Sequence, residues 1–126
     1  MVGIVIVSHS QALAESIVDF TKVMAPEAKI LPAGGMEDGG IGTSFEKIYQ
    51  AVEKVYSDDG VLVMMDMGSA VMTAEMVLEA MEGRKIEMLD CPVVEGAIAA
   101  TVTASMEGSF EDVKKSALDA KTFQKF

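Results

Sequence analysis

Hydrophobic residues in this chain of 126 residues follow two patterns, short continuous runs and stripes at helical spacing. The runs 2–7 and 61–65 are apolar apart from Gly3, which is typical of strands buried on both faces of a parallel sheet. Two shorter runs, at 28–32 and 86–89, predict two further strands. Pro32 indicates an edge position for the run 28–32, because proline has no N–H group to donate within a sheet.

Five helices are predicted between and after these strands, because apolar residues recur there every three or four positions. Hydroxyl side chains offer N-caps for the first three helices: Ser8 or Ser10, Thr43 or Ser44, and Ser69. The predicted apolar faces are Leu13, Ile17, Phe20 and Met24; Phe45, Ile48, Tyr49, Val52, Val55 and Tyr56; Ala70, Ala74, Val77, Leu78 and Met81; and, in the last helix, Phe110, Val113, Ala117 and Ala120. The fourth helix is predicted around residues 95–104.

The alternation of strands and helices predicts an α/β fold in a single domain, residues 1–126. We expect three layers, with a four-stranded parallel sheet between helices on both faces. The strand order 2-1-3-4 puts the two most apolar strands in the middle and the strand flanked by Pro32 at an edge. Ligands bind such sheets beyond the carboxyl ends of the strands where the order reverses, here between the first and third strands.

The composition is strongly acidic, since twenty Asp and Glu residues against ten Lys and Arg give a formal charge of −10. This charge disfavours nucleic acid and anionic membranes as partners and favours a basic protein. No apolar run approaches the roughly 18 residues of a membrane span, and no basic segment precedes the apolar amino terminus as in a signal peptide. We therefore expect a soluble, cytoplasmic protein.

The sulfur-containing residues are interpreted as structural. The single cysteine, Cys91, is expected to pack against its neighbours and has no predicted chemical role. The eleven methionines mostly fall at core spacing, so we interpret them as filling gaps in the core. An adaptable binding surface is the alternative for them.

The only histidine, His9, lies between the first strand and the first helix. Unpaired amides and the helix dipole at such a turn favour anions, phosphate included, and a neutral imidazole is a nucleophile or base near pH 7. Asp66 follows the third strand, so the predicted strand order brings its carboxylate to His9, where it can fix the tautomer of the ring. A surface histidine and a turn-forming aspartate, both without chemistry, are the alternatives.

A glycine-rich loop, residues 33–44, holds five of the eleven glycines and can approach a ligand closely, although a flexible connector is the alternative. It is neither a Walker A loop nor a dinucleotide-binding fingerprint. The backbone of Gly40, Ile41, Gly42 and Thr43, together with the hydroxyls of Ser10 and Ser69, is predicted to surround a phosphoryl group. These loops lack Lys, Arg and a second His, so no metal ion, nucleotide triphosphate or other cofactor is predicted.

Four segments of the chain together resemble a known family. They are Gly3–Ser10, the glycine-rich loop from Gly34 to Ser44, the turn Asp66–Ala70, and the segment Val94–Ala97. The family is the phosphocarrier subunit of phosphotransferase-dependent dihydroxyacetone kinase, which is related to the mannose-class enzyme IIA domain. The loop containing Thr43 favours this subunit over a mannose-class enzyme IIA of sugar transport.

The resemblance implies a cytoplasmic, homodimeric component of a phosphoenolpyruvate-dependent phosphotransferase, in its single-domain form. His9 would accept a phosphoryl group from phosphorylated HPr at the far ring nitrogen, with Asp66 holding the near one. The group would pass to ADP bound on the nucleotide-binding subunit of the kinase and drive the phosphorylation of dihydroxyacetone. Two other functions stay open: a regulatory module whose phosphorylation state is read by a partner, and a binder of nucleotides or small metabolites.

Overall fold

The computed structural model describes residues 1–126 and contains one sheet with helices on both faces. The strands are β1 (Gly3–Ser8), β2 (Ile30–Gly34), β3 (Val61–Met65) and β4 (Ile86–Leu89), and the helices are α1 (Gln11–Met24), α2 (Phe45–Val55), α3 (Ser69–Ala80), α4 (Val93–Ser105) and α5 (Phe110–Asp119). All neighbouring strands are parallel, and their order is β2-β1-β3-β4. The predicted three-layer α/β fold with strand order 2-1-3-4 is therefore confirmed.

Two apolar cores lie on opposite faces of the sheet, because successive side chains of a strand point to opposite sides. On one face, Ile4 and Ile6 of β1 pack in a cluster with α1, α4 and α5. On the other face, Val5 and Val7 pack with α2 and α3. All four side chains are fully buried, as the continuous apolar run predicts.

The second strand lies two residues later than predicted, at Ile30–Gly34 instead of 28–32. Pro32 is in its centre and pairs in register with Ile6 of β1. β2 is an edge strand, and alternate residues of a strand direct their backbone groups away from the neighbouring strand, so the missing N–H costs no bond within the sheet. The edge position predicted from Pro32 is confirmed, although the strand does not end there.

The predicted apolar face of α1 is wrong except at Ile17. Leu13, Phe20 and Met24 are exposed, whereas the residues that face the sheet are Ala14, Ile17, Val18 and Thr21. Small and β-branched residues allow this helix to lie close to the strands, so the larger side chains point outward. The predicted face of α3 contains all the residues that are buried in that helix, and the predicted face of α2 contains all of them except Ala51.

The interpretation of the methionines as core fillers is also wrong for most of them. Six of the eleven are exposed: Met24, Met36, Met67, Met72, Met76 and Met106. Because methionine is flexible and polarizable, exposed methionines suit a surface that adapts to a partner. The structure thus favours the alternative of an adaptable surface for these six methionines. None of the helices is long and apolar enough to cross a membrane.

Candidate functional site

His9 and Asp66 meet because they directly follow the two central strands. Val7 of β1 is in register with Met65 of β3, and the Asp66 amide extends this pairing by donating to the Val7 carbonyl at 3.2 Å. After each of these two strands the chain turns away from the sheet, so the side chains of His9 and Asp66 both lie at the carboxyl ends of the strands. The contact expected from the strand order is present, with His9 Nδ1 3.0 Å from Asp66 Oδ1.

The Asp66 carboxylate accepts four hydrogen bonds. Oδ1 accepts from His9 Nδ1 at 3.0 Å and from the Met67 amide at 2.7 Å, while Oδ2 accepts from the Ser8 hydroxyl and from the His9 amide, both at 2.9 Å. Partial burial raises the pKa of Asp66, but these hydrogen bonds to the charged form outweigh it, so the pKa lies below its ordinary value. The carboxylate is therefore ionised at neutral pH and held in one orientation.

The hydrogen bonds of the His9 ring define its neutral tautomer. Asp66 is ionised and can only accept, so Nδ1 carries the proton of the neutral imidazole. Nε2 then has a free lone pair, and the Ser69 hydroxyl, 2.8 Å away, donates to it. The His9 side chain keeps 30% of its surface exposed, so an incoming group reaches this second nitrogen from solvent.

Ser69 is not the N-cap that the sequence predicts. Gly68 occupies the N-cap position of α3, and no side chain caps this helix. Gly68 has φ +58°, a left-handed conformation that glycine adopts without strain, and the resulting turn directs the Ser69 hydroxyl to His9. The amides of Gly68 and Ser69 make no hydrogen bond within the protein, so they remain available to an anion beside Nε2.

Ser10 is the N-cap of α1, where its hydroxyl accepts from the Leu13 amide at 3.1 Å. This bond uses one lone pair and leaves the hydroxyl proton free. Ser8, the other candidate cap, is buried and bonds Asp66 instead, while also accepting from the Ser10 amide at 3.0 Å. Ser8 was predicted only as a possible cap and not as part of the site, although its place at the end of a central strand was a signal for it.

The glycine-rich loop is attached to His9, but two of its four predicted amides are already occupied. Gly42 donates to the His9 carbonyl at 2.9 Å, and Gly40 donates to the Asp38 carboxylate at 2.8 Å. The Thr43 hydroxyl contacts the Thr73 hydroxyl at 2.9 Å. These residues therefore shape the wall of the site, and of the four predicted amides those of Ile41 and Thr43 have no acceptor in the protein.

The segments that build the site, residues 35–44 and 66–80, expose apolar side chains and are acidic. Met36, Ile41, Met67, Met72 and Met76 are all more than two-fifths exposed. Residues 35–44 and 66–80, which carry them, contain no Lys or Arg but include Glu37, Asp38, Glu75 and Glu79. This combination suits a protein partner with apolar and basic side chains.

The remaining candidate groups do not extend the site. No three or more His, Cys, Asp or Glu side chains come together as metal ligands. Burial raises the pKa of the Cys91 thiol to about 11, with Asp90 adding to the effect, so the thiol is protonated at neutral pH. Its sulfur lies where a Cβ on Gly96 would stand, in agreement with a packing role.

A family model described as the PTS system fructose IIA component, EIIA-man, matches residues 3–114. The chain belongs to this family. The match includes both central strands, His9, the glycine-rich loop and the turn of Asp66, so it spans every element of the site. The resemblance seen in the sequence is thereby confirmed.

Curated relatives identify the branch of the family that is similar to this chain. The phosphoryl donor subunit DhaM of the phosphoenolpyruvate-dependent dihydroxyacetone kinase of Escherichia coli is 42% identical over 95% of the chain. The chain spans only 26% of that protein, about a quarter of its length. DhaM of kinase 1 from Listeria innocua is 41% identical, with 83% of each chain covered, and DhaM of Lactococcus lactis is 34% identical, with 90% of each covered. The chain is thus similar to DhaM-type phosphoryl donor subunits.

Solved structures agree with the fold. A protein of unknown function, EF1359, superposes with a TM-score of 0.85 at 27% identity, covering 99% of this chain and 98% of its own. The phosphotransferase system component EIIA of Streptococcus agalactiae gives a TM-score of 0.71 at 17% identity, covering 97% and 93%. At that identity the second comparison supports the fold alone.

Proposed function

We propose that this protein is a phosphohistidine carrier, which receives a phosphoryl group on Nε2 of His9 and passes it to a second protein. The observation that carries the proposal is the geometry of the ring. Asp66 holds Nδ1 at 3.0 Å, while Nε2 faces the open side of the site next to the Ser69 hydroxyl. A nucleophile with one fixed tautomer and one accessible lone pair is what transfer to nitrogen requires.

In the proposed step, the Nε2 lone pair of His9 attacks phosphorus and forms a new P–N bond. The P–N bond of the donor's phosphohistidine breaks, and its electron pair returns to the donor ring. The His9 ring becomes positively charged as it keeps the Nδ1 proton, and the Asp66 carboxylate stabilises that charge. The Ser69 hydroxyl turns from Nε2 to a phosphoryl oxygen, and the unoccupied amides of Gly68 and Ser69 are in position to assist.

We assign phosphorylated HPr as the donor and ADP bound on the nucleotide-binding subunit of dihydroxyacetone kinase as the acceptor. The similarity to DhaM-type phosphoryl donor subunits supports this assignment. The acidic segments that build the site, with their exposed apolar side chains, fit brief contacts with partner proteins, since charge attraction raises association rates more than affinity. The absence of Lys and Arg from the loops at His9 agrees with nucleotide binding on the partner and not on this chain.

A homodimer is part of the proposal, and an apolar face supports it. α4 is apolar around most of its circumference. Its residues Val94 and Ile98 line a cleft of about 450 Å³ together with Phe20 of α1 and Phe123. An exposed apolar patch of this kind is a common feature of subunit interfaces. Sedimentation velocity should give a dimer for the protein and a smaller species for Phe20→Glu. A monomer at every concentration would contradict this part.

The test of the carrier function is labelling followed by transfer. With enzyme I, HPr and phosphoenolpyruvate, the protein should gain one phosphoryl group that is stable in base and labile in acid. Addition of the ADP-loaded kinase subunit should remove the label and form ATP. His9→Ala should not be labelled; a labelled His9→Ala protein, or no transfer to any ADP-loaded subunit, would contradict the proposal.

A further inference from the structure

Thr73 connects two walls of the site, although it contacts neither His9 nor Asp66. It lies one helical turn after Ser69, and its hydroxyl donates to the Ser69 carbonyl at 2.9 Å. Since that bond uses the only proton of the Thr73 hydroxyl, the second contact, 2.9 Å to Thr43 Oγ1, has Thr43 as its donor. The bonds thus run in one direction, from the glycine-rich loop to the first turn of α3.

This contact is one of two that attach the end of the glycine-rich loop. Gly42 donates to the His9 carbonyl, and the next residue, Thr43, donates to Thr73. Gly42 has φ +145°, and a Cβ there would stand 2.8 Å from Met36, so the loop is closely packed at this point. The first bond joins the loop to the turn that follows β1, and the second joins the next loop residue to α3 on the other side of the site.

The end of the glycine-rich loop, which these two bonds hold in place, has an exposed apolar side chain. Ile41 precedes the two attached residues and is 75% exposed. On α3, Met72 and Met76 flank Thr73 and are 67% and 57% exposed. The Thr43–Thr73 bond therefore fixes the loop backbone that carries Ile41 relative to α3, the helix that carries these methionines and Ser69.

We propose that Thr73 is a positioning residue that holds the glycine-rich loop against α3, so that Ile41 and Met72 form one docking surface for the phosphoryl donor, phosphorylated HPr. The acidic residues of the two segments described above suit a partner whose apolar contact is surrounded by Lys and Arg. The inference rests on the proposed carrier function. A preformed surface avoids the cost of ordering the loop when the partner binds, so loss of the bond weakens docking more than chemistry.

The test compares transfer from phosphorylated HPr with labelling by phosphoramidate, a small donor that needs no protein docking surface. Thr73→Val, which keeps the shape but removes the hydroxyl, should raise the KM for phosphorylated HPr about three- to tenfold with little change in kcat, the range expected for one hydrogen bond. Labelling by phosphoramidate should stay close to that of the unchanged protein. Thr73→Ser, which keeps the hydroxyl, should restore the KM.

Two further variants separate positioning from general stability. Thr43→Val should raise the KM as Thr73→Val does, and the double variant should be no worse than either, because both remove the same bond. Thr101→Val is the matched control, since Thr101 also donates to the carbonyl four residues earlier, but on α4 and away from the site. An unchanged KM in both single variants, additive effects, or equal slowing with phosphoramidate would overturn the inference.

The outcomes distinguish this inference from the carrier function. If the unchanged protein accepts no phosphoryl group on His9 from either donor, the proposed function fails. If it is labelled normally and the threonine variants behave like it, only the role of Thr73 fails. Circular dichroism melting of each variant verifies that the compared proteins are folded.

Discussion

The helices α3 and α5 begin differently, and the difference corresponds to what each one faces. α5 starts with a complete capping box, in which Ser109 accepts from the Asp112 amide and the Asp112 carboxylate accepts from the Ser109 amide. α3 starts at Gly68 without a side-chain cap, and its first serine, Ser69, bonds His9 instead. A cap satisfies amides within the protein and stabilises the helix, whereas an uncapped start leaves amides for a ligand. The α5 start thus serves stability, whereas the α3 start fits the proposed binding of a phosphoryl group.

The largest expected effect comes from the carboxylate that precedes the α3 start. Asp66→Ala removes the group that orients the His9 ring, so labelling by phosphorylated HPr should slow by about 100-fold, within the range for a positioned acid or base. The control is Asp90→Ala, because Asp90 follows β4 as Asp66 follows β3 but is almost fully exposed. Quenched-flow labelling measures both. Equal rates for the two variants would mean that Asp66 is only a turn residue.

A smaller effect on transfer, and almost none on stability, is expected at the α3 start itself. Ser69→Ala removes a hydroxyl that contacts His9 Nε2 but caps nothing, so the labelling rate should fall about tenfold, as for one lost hydrogen bond to a charged group. The free energy of unfolding should change by less than about 0.5 kcal/mol. Urea titration and labelling rates test the two halves of this prediction. If Ser69→Ala lowered the free energy of unfolding but left the labelling rate unchanged, Ser69 would act as a stabilising cap, which contradicts the comparison.

The same substitution at the α5 start should give the opposite result. Ser109→Ala breaks the capping box, so the free energy of unfolding should fall by about 1 kcal/mol while the labelling rate stays unchanged. Urea titration measures the first value, and the labelling assay the second. If Ser109→Ala and Ser69→Ala proved equally destabilising, the two helix starts would not differ in the way described here.

The smallest expected effect is a pH dependence of stability due to Asp66. Its pKa is lowered in the folded protein from the ordinary value of 3.8, so its contribution is complete above that value. The contribution is lost as the pH falls through the lower folded pKa. The difference in unfolding free energy between the unchanged protein and Asp66→Ala should therefore shrink on acidification below about pH 4. A difference that stays constant to lower pH would show that the carboxylate is not stabilised in its charged form.

The sequence was sufficient for the fold because its signals were long and repeated. Continuous β-branched runs predicted the central strands, and the position of His9 and Asp66 after them predicted their contact. The buried face of α1 was predicted wrongly apart from Ile17, because Leu13 and Phe20 have the same helical spacing as the residues that are buried. Periodicity alone does not distinguish two adjacent stripes when one of them consists of small residues.

The finer parts of the site depended on contacts that sequence spacing does not encode. Ser69 was predicted as a cap because serine is common there, but the left-handed Gly68 shifts the helix start by one residue. Thr73 was not recognised, because its partner Thr43 is thirty residues away and joins it only in the folded chain. The prediction of the amides of Gly40 and Gly42 as free donors did not consider that a tight loop uses them internally.

Mass spectrometry of the intact protein, followed by mapping of the modified residue, tests the central claim most directly. After incubation with enzyme I, HPr and phosphoenolpyruvate, we expect the mass to increase by one phosphoryl group per chain, located on His9 and lost in acid. The same incubation of His9→Ala should leave its mass unchanged. A phosphoryl group on any other residue, or none on a folded protein, would contradict the account.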